Sequence, residues 1–386
     1  MGFANLEKII KDSIKDGFPS AQIAIEHKSS RIYQKAFGHR TLIPTINCAN
    51  LMTHYDIASL TKVFSLAFGF QSLLTKGKCN LDCSLFDLLT EEREQGLILP
   101  REKEAITLYD LLTHSAGFEP NPLFYDPTYS ETLYCQDRSQ FLQKLLLTPL
   151  VHPPKTTALY SDVDFMLLTF LFERIAGESL QHYLKKTFWT PLGIEDSIDY
   201  RPLENAAMRD NIAATELAGN RRGGAIDFPN IRQEVIYGEV QDEKGFHCMD
   251  GISGHAGLFA NSDALLKLMA LMRGNNDYFS NRVIEQFLTP SRLDPTFGVG
   301  WRLNGADMGY MCGDYASSEA YGHTGWTGCL ILRDPKYDLT ISYLTNRKHT
   351  RVIDPGKNPN LFYGDTLPAG KYRIIVNEIY RELGLA

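Results

Sequence analysis

Over the first forty residues the spacing of apolar positions changes from helical to extended. Leu6, Ile9, Ile10 and Ile14 recur at helical intervals and predict an amphipathic helix ended by Gly17. Residues 21–27 and 31–37 read as two strands joined across Lys28-Ser29-Ser30, a hairpin-length link. Residues 38–54 carry no period and are expected to be irregular. The apolar run from Val63 to Leu74, closed by Gly77, predicts a long helix with Ser59 at its first turn.

Helical spacing then dominates the middle of the chain. A short apolar segment at 85–89 precedes an acidic surface run, Glu91 to Glu94. A short helix is predicted over 106–112, with Thr107 as N-cap. Prolines at 120, 122, 127, 149, 153 and 154 predict long loops around one helix near 139–147. Helices are further expected over 162–176, stopped by Gly177, and over 180–188, halted at Pro191-Leu192-Gly193. Residues 200–257 give no regular pattern. Two more helices are predicted at 262–272, N-capped by Ser262, and at 282–288. The period then shortens: 298–301, 328–333 and 339–344 read as strands, with a turn at 334–338, and 372–383 closes as a helix.

Strands at both ends and helices between them predict an α+β fold, with an antiparallel sheet built from both chain ends, flanking helices and a mainly helical insert. Residues 1–60 and 295–386 are expected to form the sheet domain, 61–294 the helical one with long loops, and the active site to lie at their junction.

Composition narrows the function. The chain has 386 residues and a formal charge of −7, without a basic run, which argues against nucleic-acid binding. No apolar run reaches the roughly 18 residues of a membrane span, and the first residues lack a signal peptide's apolar core. Seven cysteines, at 48, 79, 83, 135, 248, 312 and 329, include no C-x-x-C pair and suit free thiols in a reducing compartment. As written, the sequence is expected to be cytoplasmic; removal of an export signal would make it periplasmic or extracellular. The composition leaves oligomeric state open.

The candidate chemistry begins at Ser59. Lys62 lies one turn on, so its amine can reach the Ser59 hydroxyl and serve as its base once desolvated. A chain of this length holds S-x-x-K about once by chance, so the pair alone decides little. Two further motifs change that. Tyr160-Ser161-Asp162 stands at the entrance of the 162–176 helix, and Tyr321-Gly322-His323-Thr324-Gly325-Trp326 opens the C-terminal strands.

In this order the three motifs resemble the signatures of the serine β-lactamase and penicillin-binding-protein superfamily, in its class C β-lactamase, DD-peptidase and esterase branch. The resemblance extends over nearly the whole chain, including the segments 107–118 and 191–194. Residues 238–243 and 251–259 are similar to the penicillin-binding protein 4B-like group of D-alanyl-D-alanine carboxypeptidases. The resemblance implies Ser59 as the acylated nucleophile, Lys62 as its proton partner and Tyr160 as a proton shuttle. It assigns substrate contacts to Asp162, His323, Thr324, Gly325 and Trp326, with the Ser59 and Trp326 N–H groups forming an oxyanion hole. No metal or organic cofactor is implied, and the partners are a small molecule or short peptide, β-lactams included.

Three departures bear on specificity. Asp162 replaces the usual asparagine amide, His323 replaces the usual lysine and would make carboxylate recognition pH-dependent, and Trp326 is bulky where β-lactamases favour a small residue. These fit a peptidase or esterase better than an efficient β-lactamase. The leading expectation is therefore a penicillin-binding D-alanyl-D-alanine carboxypeptidase-like serine hydrolase. The alternatives are a small-ester carboxylesterase or weak class C-like β-lactamase, and, in another class, a penicilloyl-binding sensor or non-catalytic scaffold. His114 and Tyr363-Gly364-Asp365 are read as structural. His247, Cys248, Asp250 and His255 lack strict zinc spacing. Asp242 and His255 read equally well as lining the cleft or as ordering their loop.

Overall fold

The computed structural model describes residues 2–386. Both ends of the chain build one seven-stranded antiparallel sheet. From one edge its order is Asn47–Cys48, Ser30–Thr41, Ser20–His27, Leu339–Thr345, Leu330–Asp334, Tyr321–Thr324 and Arg302–Leu303. The two termini meet at its centre, where Ala21 faces Thr345 and His27 faces Leu339.

Alternation along these central strands divides the core. Ile23, Ile25, Ile341 and Tyr343 face the helices Ala4–Lys15 and Tyr372–Glu382, which bury Leu6, Ile10, Ile375 and Ile379 against them. Ala24 and Leu344 point the other way, into a larger core shared with the helices between the chain ends. Each fully buried Leu or Ile stabilises by about 1.5–3 kcal/mol, so both sheet faces are firmly covered. The helices Arg138–Leu147, Asp162–Ala176, Asn281–Leu288 and Tyr372–Glu382 lie where the periodicity places them. No helix among the described residues is long and apolar enough to cross a membrane, and all seven cysteines are free thiols.

Several local expectations are corrected. The second strand continues to Thr41, through the region expected to be irregular. Gly38 adopts φ +75°, and a Cβ there would stand 2.2 Å from the Pro19 carbonyl. At this glycine the ladder with Ser20–His27 ends, and the strand goes on to Thr41 paired with Asn47–Cys48. Residues 298–301 are not a strand, because Val299 N–H donates to Phe287 O at 2.9 Å and Gly300 N–H to Leu112 O at 2.8 Å. Their backbone pairs with the helical half, and sheet pairing begins only at Arg302.

The helix after Ser59 opens as a π-helix over Lys62–Ala67 before becoming α-helical at Phe68–Thr75. Asn261, rather than Ser262, caps the helix Ser262–Ala270 by accepting Ala264 N–H at 3.0 Å. Within 200–257 a helix, Glu243–Cys248, is capped by Asp242. A hairpin of Val352–Asp354 and Asn358–Phe362 also escaped the pattern, its strands being short and largely exposed.

Candidate active site

The turn that carries Ser59 is built on Asp56. The strand Tyr55–Asp56 pairs with Phe259–Ala260, which brings the 250s loop alongside. Asp56 is buried; its Oδ1 accepts Ala58 N–H at 2.8 Å and its Oδ2 accepts Gln241 N–H at 2.7 Å. Its carbonyl accepts the Thr327 hydroxyl at 2.6 Å. One residue thus ties together the Ser59 turn, the 240s loop and the segment that follows the strand Tyr321–Thr324. Burial pushes the Asp56 carboxyl up to about 6. Ala58 adopts φ +46°, a conformation that costs a non-glycine residue about 1–3 kcal/mol, and the Asp56 bond holds it there. Gly325 runs so close to this turn that a Cβ would meet Ile57 O at 2.5 Å. The backbone N–H groups of Ser59 and Trp326 donate to no acceptor among the described residues.

Lys62 is fully buried, and all three of its protons have acceptors. They are Ser59 Oγ at 3.2 Å, Asp162 Oδ1 at 2.8 Å and His255 O at 3.1 Å. Burial alone would pull the amine down, but Asp162 and Tyr160 outweigh it and hold the ammonium above its ordinary value. The Tyr160 ring lies 4.9 Å from Lys62 Nζ. Burial raises its phenol, with Lys62 and Ser59 opposing. In the resting site Lys62 is therefore an ammonium and Tyr160 a neutral phenol.

Asp162 is shared between two lysines. Burial disfavours its charge, but Lys62 and Lys244 hold the carboxylate well below the usual range. Lys244 Nζ lies 3.3 Å from Asp162 Oδ2 and 3.1 Å from Asp242 Oδ2. His255 Nε2 is 2.8 Å from Asp242 Oδ1, and its Nδ1 is 2.7 Å from Ser253 Oγ. Asp162, Asp242 and His255 offer converging ligand atoms, yet the Lys244 ammonium stands among them and supplies the cation itself. Asp242 and His255 therefore both order their loop and reach the cleft. Lys244 was missed because Asp242-Glu243-Lys244 reads as an ordinary charged surface run.

His323 departs from expectation. Burial and the Lys62 charge push its imidazole down to about 3, and Nδ1 lies 2.8 Å from Thr324 O. Both causes favour the neutral ring, against the expected pH-dependent carboxylate recognition by His323. On that side Arg302, Arg347, Lys371, Arg373 and Asp365 line a cavity of about 910 Å³ together with Ser59, Tyr160 and His323. Arg347 is paired with Asp365 at 3.0 Å and Arg373 with Asp314 at 2.6 Å, which leaves Arg302 and Lys371 without a carboxylate partner among the described residues.

His114 proves to do more than fill space. Its carbonyl accepts Leu159 N–H at 2.8 Å and its Nδ1 accepts Ser161 N–H at 3.1 Å, bracketing Tyr160 on both sides. The two rings lie 4.6 Å apart. His114→Leu is expected to lower kcat about 10- to 100-fold with little change in KM, whereas His114→Asn, which restores an acceptor near Nδ1, recovers most of the loss. Steady-state kinetics on both variants checks this.

The chain matches the Beta-lactamase family model over residues 6–364. It belongs to that family. Members of the β-lactamase family are serine hydrolases, and this chain is one. It is 37% identical over 390 residues to a Bacillus subtilis (strain 168) protein named "N-acetylmuramyl-L-alanine amidase", with 98% of this chain and 88% of the relative covered. It is equally identical, over 98% of this chain and 90% of the relative, to an Escherichia coli (strain K12) protein named "Putative D-alanyl-D-alanine carboxypeptidase". Its fold resembles the octameric penicillin-binding protein homologue from Pyrococcus abyssi, with TM-score 0.71 and 19% identity over 100% of this chain and 78% of that one. It also resembles EstCE1, a hydrolase with promiscuous acyltransferase activity, with TM-score 0.71 and 16% identity over 98% of both chains. The β-lactamase/transpeptidase-like fold is as the motifs implied.

Proposed function

We propose that this β-lactamase-family serine hydrolase is a D-alanyl-D-alanine carboxypeptidase working through a Ser59 acyl-enzyme. The observation that carries the reading is the cavity beside Ser59 and Thr324, where Arg302 and Lys371, which have no carboxylate partner among the described residues, suit a leaving group that bears a free carboxylate. Ser59 Oγ attacks the scissile carbonyl, and its proton passes to the Lys62–Tyr160 pair in the ionisation that lacks one proton. The pair returns that proton to the departing amine. Water then attacks the ester with the same pair as base, releasing the acid and Ser59. The N–H groups of Ser59 and Trp326, free of other acceptors, receive the developing oxyanion. Thr324 and Gly325 line the substrate's path along the strand end.

A second reading draws on the Bacillus relative's name: the same acyl transfer at the bond between N-acetylmuramic acid and L-alanine. Both are tested by incubating wild type and Ser59→Ala with an N-acylated D-Ala-D-Ala peptide and with a muramyl peptide, followed by mass spectrometry. Ser59-dependent release of D-alanine is expected. Cleavage at the muramyl amide alone would establish the second reading, and cleavage of neither would sink both.

A further inference from the structure

The acyl side of the cleft has a roof that the catalytic motifs do not require. A second cavity of about 730 Å³ shares Ser59, Tyr160 and Trp326 with the first and is otherwise lined by different residues. Beyond the catalytic motifs, four separate segments wall it: 120–126, 222–228, 241–244 and Pro359-Asn360 of the hairpin 352–362. The hairpin's residues are otherwise largely exposed, so what fixes it over the cavity is a local matter.

Arg222 supplies that fixation. Its guanidinium is nearly buried, pairs with Glu216 at 3.5 Å and Glu243 at 3.7 Å, and hydrogen-bonds Asn360 Oδ1 on the hairpin. It also lies over the rings of Trp326 at 5.5 Å and Phe362 at 6.0 Å. From the other side Lys348 Nζ stands 3.8 Å from the Trp326 ring and 4.7 Å from that of Phe362, anchored to Asp365 at 2.7 Å. Next to Arg222, Gly223 approaches Pro355 so closely that a Cβ would stand 2.6 Å from it. Two segments more than a hundred residues apart are thus riveted across the cavity by alternating cations and aromatic rings.

We infer that the 352–362 hairpin, locked by Arg222, limits the length of the acyl group this enzyme accepts, so that it acts on short, uncross-linked acyl donors rather than on a polymer strand. A roofed space of this volume holds a drug-sized group. A cross-linked strand would have to continue through Pro359-Asn360 or through the 222–228 segment. That the donors are peptidyl fragments ending in D-alanine rests on the function proposed above; the length limit itself does not.

The test therefore uses two substrate series. One is p-nitrophenyl esters with acyl chains from acetyl to lauroyl, and the other N-acyl-D-Ala-D-Ala donors from a single acetyl group to a cross-linked peptide dimer. Wild type, Arg222→Ala and a variant with residues 353–361 replaced by a short glycine linker are compared. In wild type, kcat/KM is expected to hold over the donors that fit this space and to fall steeply for those that outgrow it, the cross-linked dimer above all. In both variants the ratio of long- to short-donor kcat/KM is expected to rise at least about 10-fold, the scale of one lost steric exclusion. If Arg222→Ala fails to fold, the linker variant carries the test. A ratio unchanged in folded variants, or wild-type turnover of the cross-linked dimer as fast as of the shortest donor, overturns the inference. Length dependence in the ester series with no D-alanine released from any peptide would overturn the carboxypeptidase reading and leave the length limit standing.

Discussion

Lys62→Met is expected to lower kcat/KM by about 10²- to 10⁴-fold, the usual worth of a positioned proton carrier, and to destabilise the fold as well. The stability loss follows from the pairing. Lys62 is wholly buried and gives one of its three hydrogen bonds to Asp162 at 2.8 Å. Breaking a buried pair by removing one partner costs about 3–5 kcal/mol. Lys244, 3.3 Å from the other Asp162 oxygen, keeps part of the compensation, so the loss should fall below that range. The double variant Lys62→Met/Asp162→Asn separates the two effects. With the stranded carboxylate neutralised, urea denaturation should recover most of the stability. Activity should stay at the level of the single variant, because the proton carrier is still absent. Recovery of both together would mean that Lys62 serves the fold and not the reaction.

How far the sequence revealed this arrangement depended on what kind of signal each part left. The sheet from both chain ends was legible because its strands keep a period of two or a continuous apolar run, as in Ile23-Ala24-Ile25 against Ile341 and Tyr343. The proximity of Ser59, Lys62 and Tyr160 was legible because short motifs at helix entrances bring a hydroxyl, an amine and a phenol together. The hairpin 352–362 was not, since it buries little and is held by Arg222 from a distant segment. Lys244 was hidden for the opposite reason: a charge run normally faces water, and only the fold reveals that this ammonium is enclosed by Asp162, Asp242 and Asn121. His323 lines the cavity beside Ser59, and the lowering of its imidazole by burial and Lys62 was not legible, because burial is not visible in a tripeptide motif. The strand expected at 298–301 failed where two glycines let the backbone turn toward the helical half instead.

Asp162→Asn should change the pH dependence of the reaction more than its maximal rate. In the mechanism proposed above, serine attack needs the Lys62–Tyr160 pair to lack one proton, and the wild-type site works against that. Asp162 holds Lys62 above its ordinary value, and burial raises Tyr160. Activity should therefore rise with pH toward the alkaline range, with an acidic limb belonging to the coupled pair rather than to either residue. The remaining charged and titratable groups facing the pair do not reverse this. His323 and His114 are buried and neutral, while Lys244 is a cation paired with Asp242. Once the Asp162 charge is gone, burial and Lys244 both act on Lys62 in the direction that releases its proton. The acidic limb should move to lower pH, with the ratio of kcat/KM at pH 6 to that at pH 9 rising about tenfold, the smaller end of what removing an adjacent opposite charge produces. A full pH–rate profile on one ester substrate reads this directly. An unshifted limb would mean that the proton controlling Ser59 is not held by the Lys62–Asp162 contact, and that the base must be sought on the Tyr160 side of the site.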